Sequence, residues 1–230
     1  MLLLVATVTP RLAAQGDAAK DRRIIVSLDD KLLLLVQGTD TLMRASIAIG
    51  REDSIHYRGK LYNWSTPVGE RRVLAKRRNP AWNVPDWHYY ERASDEGLKV
   101  VKMVRDMRYP LPDGSSLAVR GRDVVRVRND EYWIVPQGRE LVFDGVLYAP
   151  PAGTRQRQAP GALGTRALDL GGGILIHGTS SYNKASIGAA ASHGCIRMEN
   201  GDVERLYDMV SEGTPVLIRS TGLAARRRAP

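Results

Sequence analysis

A mainly β domain with minor α content is the fold class that this 230-residue sequence predicts. Three observations carry it. Short apolar and β-branched runs recur from Ile24 onward, separated by Gly, Pro and Asp turn signals. The middle stretch, 79–160, is broken by NP, VP, YP, LP, AP and PP dipeptides, which leave room only for short β-prone runs. Apolar residues fall clearly on one helical face in only one stretch, near the C-terminal end.

In chain order, RIIVSL, the turn Asp29-Asp30-Lys31 and LLLLVQG read as two strands around a tight turn. Gly38-Thr39-Asp40 signals the next turn, and TLMRASIAIG (41–50) a third strand. STPVGERRVLAKR (65–77) opens on a Pro-x-Gly turn and continues as one strand. Within 79–160, VVRVR (124–128) and EYWIVP (131–136) are short strands in a segment whose composition suits an inserted, irregular lid lobe. GGGILIHGT (171–179) is a glycine-rich approach to an apolar strand, Ile174 to Ile176, that ends at His177. In ENGDVERLYDMVSEGTP, Val203, Leu206, Tyr207 and Val210 share one helical face. Asn200 or Asp202 is the N-cap, and Gly213 is the stop. TPVLIR (214–219) is the last strand, and there is no internal repeat.

With 43% hydrophobic residues, the chain can bury one good core and a small second lobe. No apolar run approaches the roughly 20 residues that span a bilayer. Residues 1–23 read as an atypical export signal or a disordered start: an apolar block from Leu2 to Thr9, then Leu12-Ala13-Ala14, without a basic leader. Residues 221–230 form a basic tail. The net charge of +9 favours polyanionic surroundings. The basic residues cluster at 71–78, 120–128 and 224–230, with no zinc-finger spacing, RNP motif or basic heptad, so a solvated basic surface is preferred to a nucleic-acid site.

SHGCIRM (192–198) holds the single cysteine, Cys195, which rules out an intramolecular disulfide. A lone cysteine is ordinarily inert core, but the flanking Ser, His and Gly are poor core material. A metal site of His177, His193 and Cys195 is a second reading, and the one-residue gap from His193 to Cys195 is tighter than zinc-ligand spacings. As a nucleophile, Cys195 needs a neighbouring base or cation to lower its pKa. If 193–195 is extended, His193 shares a face with Cys195, and a return connection brings His177 beside it. Spacing does not choose between the two histidines. Gly194 permits close backbone approach, and its amide can help stabilise an oxyanion.

HGTSSYNKASIGAAASHGCIRM, a histidine followed after a spacer by Ser-His-Gly-Cys, closely resembles the active-site signature of the L,D-transpeptidase (YkuD-type) family. Fourteen residues separate His177 from Ser192. Supporting likeness extends to STPVG (65–69), RRNPAWNVPDW (77–87), PGALGTRALDL (160–170) and NGDVERLYDMVSEGTPVLI. One version of the family pattern has Asn where this chain has Arg197.

The resemblance implies a β-sandwich or barrel-like catalytic domain over 24–220, with 79–160 as a lid insertion. It implies Cys195 as nucleophile, and His177 as base and acid, oriented by the carbonyl of Gly178. Backbone amides of His193, Gly194 and Cys195 would form the oxyanion hole. Ser192 and Arg197 would shape the substrate pocket. Arg197 either clamps a stem carboxylate or is pinned to Glu199 or Asp202. Tyr182 is the favoured aromatic substrate contact. Trp82, Trp87, Tyr89 and Tyr90 read as local core rather than groove lining.

The implied substrate is the peptidoglycan tetrapeptide stem, cleaved with loss of D-alanine. The acyl group then passes to a diamino acid on another stem, to a lipoprotein lysine, or to water in a carboxypeptidase. No cofactor, metal or nucleic acid is implied, and the location is the periplasm or cell wall. A catalytically silent wall-binding module is the alternative. Papain-like and sortase folds are disfavoured by the order and spacing of His and Cys.

Overall fold

The computed structural model describes residues 21–57 and 59–223. The expected export segment, up to residue 20, and the basic tail from residue 224 lie outside them. Two sheets and a helix enclose the main core. The first sheet runs Asp40–Ser46, Leu32–Gln37, Arg22–Ser27, Pro215–Arg219, Gly69–Arg72 in spatial order. Its centre joins the two ends of the domain, because Arg22–Ser27 pairs in parallel with Pro215–Arg219 from Ile24↔Val216 onward. The second sheet runs Ile196–Arg197, Leu175–His177, Arg166–Asp169, Ala75–Arg78.

Period-two alternation explains the packing. Ile24, Val26, Leu33 and Leu35 from the first sheet meet Leu168, Ile176 and Ile196 from the second, all of them fully buried. Each such side chain contributes about 1.5–3 kcal/mol of burial. Helix α1 is Asp86–Glu96 and helix α2 is Asn200–Met209. In α2, Val203, Leu206 and Tyr207 face this core as the spacing predicts. The structure is a β-sandwich with a helix on its flank.

Two expected strands are broken, and both breaks shape the site. The 41–50 stretch ends as a ladder strand at Ser46, and Ile49–Gly50 pairs instead with Ala190–Ser192. The 69–78 stretch divides at Val73-Leu74. Gly69–Arg72 stays in the first sheet and Ala75–Arg78 enters the second. Val73 is buried at this crossover and Leu74 is exposed.

The 79–160 segment is regular, contrary to its Pro-rich reading. It holds α1, a three-stranded sheet (Lys99–Lys102, Val146–Ala149, Val142–Phe143) and a four-stranded antiparallel meander from Arg108 to Ile134. The meander and the three-stranded sheet together bury Met103, Leu111, Leu117, Val124, Val135, Leu141 and Tyr148 in a second core. Proline marks the boundaries here instead of dissolving them. Pro85 caps the start of α1 at φ −77°, a value the pyrrolidine ring already imposes. The C-terminus of α1 is closed by Gly97 at φ +65°, with Leu98 N–H donating to Ala93 O at 2.8 Å. This helix was missed because Tyr89 and Ala93 alone are buried on its inner face, which leaves almost no apolar period to read. Arg157, also buried, fastens the lobe through bonds to Asp86 Oδ1 (2.5 Å), Pro150 O (2.7 Å) and Val84 O (3.1 Å).

Candidate active site

Cys195 and His177 reach one site through strand register. Leu175–His177 pairs in parallel with Ile196–Arg197, at Ile176↔Ile196 and His177↔Arg197. Ile176 and Ile196 point into the core, so His177 and Arg197 share the opposite face, and Cys195 immediately precedes the paired strand. Cys195 lies two residues before Arg197, the register partner of His177, and so is held next to the histidine's strand. The two segments meet although 177 and 195 are far apart in sequence.

The His177 ring is buried, with Nδ1 2.6 Å from the Gly178 carbonyl oxygen. A carbonyl only accepts, so Nδ1 carries the hydrogen and Nε2 is left with a lone pair. Burial pushes the ring's pKa down to about 4. The Gly178 and Leu163 carbonyls oppose that fall, and the Arg197 charge adds to it. The imidazole is therefore neutral at pH 7.

Gly178 is held in place by its surroundings. A Cβ there would lie 2.2 Å from Asn200 Oδ1 and 3.1 Å from Gly164 Cα. The same Asn200 oxygen accepts from the amides of Thr165 (3.3 Å) and Thr179 (3.2 Å). Asn200 is thus not the expected N-cap. Glu199 occupies that position without a side-chain bond, and Asn200 instead locks the turn that carries the Gly178 carbonyl.

The Cys195 thiol donates to Gly173 O at 3.6 Å. Burial raises its pKa, while the Leu175 N–H and the Arg197 charge pull it back. The resting pair is thiol and neutral imidazole, and the groups that favour the thiolate are already in place.

Residues 193–195 do not continue a strand. They form a bend between Ala190–Ser192 and Ile196–Arg197, with Gly194 at φ +103°. Strand alternation therefore does not put His193 beside Cys195. The His193 ring is instead held by Glu91, with Nε2 2.8 Å from Oε2, and packs on Trp64 (4.9 Å) and Trp87 (4.7 Å). Thr66, from the STPVG turn, backs the bend: its hydroxyl donates to Gly194 O at 3.0 Å and accepts from Gly50 N at 2.7 Å.

Ser192 is buried beneath the bend. It is 1% exposed, donates to Cys195 O at 2.5 Å and accepts from Gly194 N at 3.2 Å. That last bond also engages the Gly194 amide that sequence reasoning assigned to an oxyanion hole. Neither carboxylate expected to pin Arg197 does so. Glu199 pairs with Lys184 and Asp202 with Arg205. Arg197 donates to Ala191 O at 3.3 Å and is half-buried, which lowers its pKa. Tyr182 lies on the Ser181–Ser186 3-10 turn, 95% exposed.

Of the four aromatics read as core, Tyr89 is buried in the lobe and Trp82 packs against the same core, whereas Trp87 stacks with Trp64 against His193. Glu91, Arg51, Trp64 and Asn200 are the site-shaping residues that sequence reasoning missed. Asn200 alone had a signal, its place before a helical pattern. Among the described residues, no group of three or more His, Cys, Asp or Glu side chains is placed to hold a metal ion. No helix there is long and apolar enough to cross a membrane.

Comparison with known proteins places this geometry in context. The YkuD protein of Bacillus subtilis is 49% identical over 65 residues, covering 28% of this chain and 38% of that protein. The ErfK/SrfK protein of Salmonella typhimurium is 34% identical over 100 residues, covering 37% of this chain and 31% of that protein. These matches span about a third of each relative's length. An L,D-transpeptidase structure from Mycobacterium smegmatis aligns at a TM-score of 0.46 and 16% identity, over 87% of this chain and 59% of that one. The family profile of the L,D-transpeptidase catalytic domain matches residues 21–218, which is nearly all of the described structure, and the chain belongs to that family.

Proposed function

We propose that this chain is a cysteine acyltransferase that acts on the tetrapeptide stems of peptidoglycan outside the cytoplasm. One observation carries the reading. His177 is fixed by a backbone carbonyl in the tautomer that leaves Nε2 as acceptor, on the strand that pairs beside Cys195. Family membership supplies the substrate class.

In the first half-reaction, the Cys195 sulfur attacks the carbonyl carbon of the third stem residue, and its proton passes to His177 Nε2. The imidazolium is stabilised by the Gly178 and Leu163 carbonyls. Arg197 and the Leu175 N–H stabilise the developing thiolate before the carbon–sulfur bond forms. The oxyanion meets the backbone amides of His193 and Cys195. Collapse breaks the peptide bond, and His177 returns its proton to the departing D-alanine amine. Arg197, without a carboxylate partner among the described residues, is the clamp for a stem carboxylate. Tyr182 extends from the rim as an aromatic contact. The thioester then passes to an amine, either a stem diamino acid for a 3→3 crosslink or a lipoprotein lysine. Water in place of the amine makes the chain an L,D-carboxypeptidase. No step needs a cofactor, and the net positive charge suits an anionic wall polymer.

The test is incubation with a tetrapeptide stem, followed by mass spectrometry of peptide and protein. Wild type should release D-alanine and carry the acyl mass on Cys195, and Cys195→Ala should do neither. Equal release by both proteins overturns the reading. Binding of the stem without release by wild type would favour the silent wall-binding module instead.

A further inference from the structure

His193 and His177 are equipped differently. A buried backbone carbonyl orients His177. A carboxylate orients His193: Glu91, reaching over from α1, places Oε2 2.8 Å from Nε2. Glu91 also forms an ion pair with Arg51, whose Nε is 2.9 Å from Asp53. Its side chain is 11% exposed and bonded to both Arg51 and His193, which fixes its position. A carboxylate anion only accepts, so Nε2 carries the hydrogen and Nδ1 carries the lone pair. No described residue bonds Nδ1. It is also absent from the enclosed polar atoms that lack a partner, so Nδ1 is not sealed from solvent, and it belongs to a residue two positions from Cys195. Trp64 and Trp87 fix the plane of the ring. A carboxylate–imidazole pair of this kind sets the tautomer of a base and stabilises the imidazolium it becomes.

The acyl-transfer reading leaves one proton without an acceptor. An amine acceptor arrives as an ammonium, with a pKa of roughly 10.4 for a lysine-like side chain. It must lose one proton before it can attack and a second as the amide forms. His177 can handle only the second, which it passes to the departing sulfur. We infer that His193, positioned by Glu91, is the base that takes the first proton from the acceptor ammonium. This inference rests on the transfer reading above.

The atoms balance as follows. Nδ1 of His193 removes a proton from the ammonium and releases it to solvent. The free amine nitrogen attacks the thioester carbon, and the carbon–sulfur bond breaks with its electron pair on sulfur. His177 carries the remaining excess proton from nitrogen to that sulfur. Water as acceptor has no ammonium proton to lose, so hydrolysis bypasses His193. His193 would thus be catalytic in the second half-reaction only, with Glu91 as its positioning residue. The 79–160 lobe would act on acceptor choice through α1. Burial lowers the His193 pKa, Glu91 pulls it up, and Arg51 and Arg197 push it down.

The experiment compares wild type, Glu91→Gln and Glu91→Asp on a tetrapeptide stem with and without a lysine-like amine acceptor. Mass spectrometry follows the Cys195 acyl adduct, the amide product and the hydrolysed tripeptide. Glu91→Gln is expected to form the adduct within twofold of the wild-type rate. Amide formation at pH 7 should fall tenfold or more relative to hydrolysis. The deficit should shrink as pH rises toward the pKa of the amine, and Glu91→Asp should recover part of it. If adduct formation and amide formation fall by the same factor, Glu91 is merely structural and the inference is wrong. An unchanged partition at every pH overturns it as well. No adduct in wild type would instead sink the transfer reading, and the inference with it.

Discussion

A proton that His177 refuses should be visible as acid sensitivity of the whole fold. In the unfolded chain this histidine titrates near its ordinary 6.5, but in the native site only near 4. Between those values the unfolded state binds a proton that the native state does not, so native stability must fall as pH falls. Stability from this group is intact above pH 6.5 and is lost progressively down to about pH 4. The ring is 3% exposed, so solvent screening does little to dilute the effect. The full shift corresponds to about 3 kcal/mol, with about 2.5 kcal/mol gone by pH 4.5.

The perturbation is His177→Asn, which keeps a donor for the Gly178 carbonyl and removes the titration. Urea unfolding of both proteins at pH 7.5 and pH 4.5 provides the measurement. His88 and His193 also have lowered pKa values and lose stability in the same direction. The readout is therefore the difference between the two proteins. Wild type should lose about 2–3 kcal/mol more than the variant across this interval. Equal losses would mean that His177 is not held neutral by burial, and the resting thiol–imidazole pair would fall with it.

Two further substitutions test the scaffold of the site. Gly178→Ala drives a methyl group to within 2.2 Å of Asn200 Oδ1. It should cost about 1–3 kcal/mol in thermal unfolding and suppress D-alanine release by displacing the carbonyl that orients His177; an unchanged melting temperature would refute the fit. Ser192→Ala removes a buried hydroxyl that joins Cys195 O to Gly194 N, at a cost of about 1–3 kcal/mol. Turnover should fall with KM for the stem within twofold, whereas a raised KM at constant kcat would restore Ser192 to the substrate pocket.

The chain alone determined the nucleophile candidate, the two histidines and the central strands of the first sheet, because these signals are local. Cys195 stands among residues that make poor core, and the apolar runs at 24–36 and 214–219 declare their period within a few residues. The α2 face was legible for the same reason, since Val203, Leu206 and Tyr207 repeat over a single helix. The α1 helix was not legible, because its hold on the lobe comes from Tyr89, Ala93 and the half-buried Arg157–Asp86 pair rather than from an apolar stripe.

Only tertiary structure decided what each site residue faces. Ser192 turned inward and His193 packed on Trp64 and Trp87 with its Nε2 on Glu91, because one positive-φ glycine bends the chain between two short strands. Arg197 lost both expected partners, since Lys184 and Arg205 lie nearer to them. The bond from Glu91 to His193 spans 102 residues. Contacts of that range are set by how sheets and lobe pack, and no local period of the sequence encodes them.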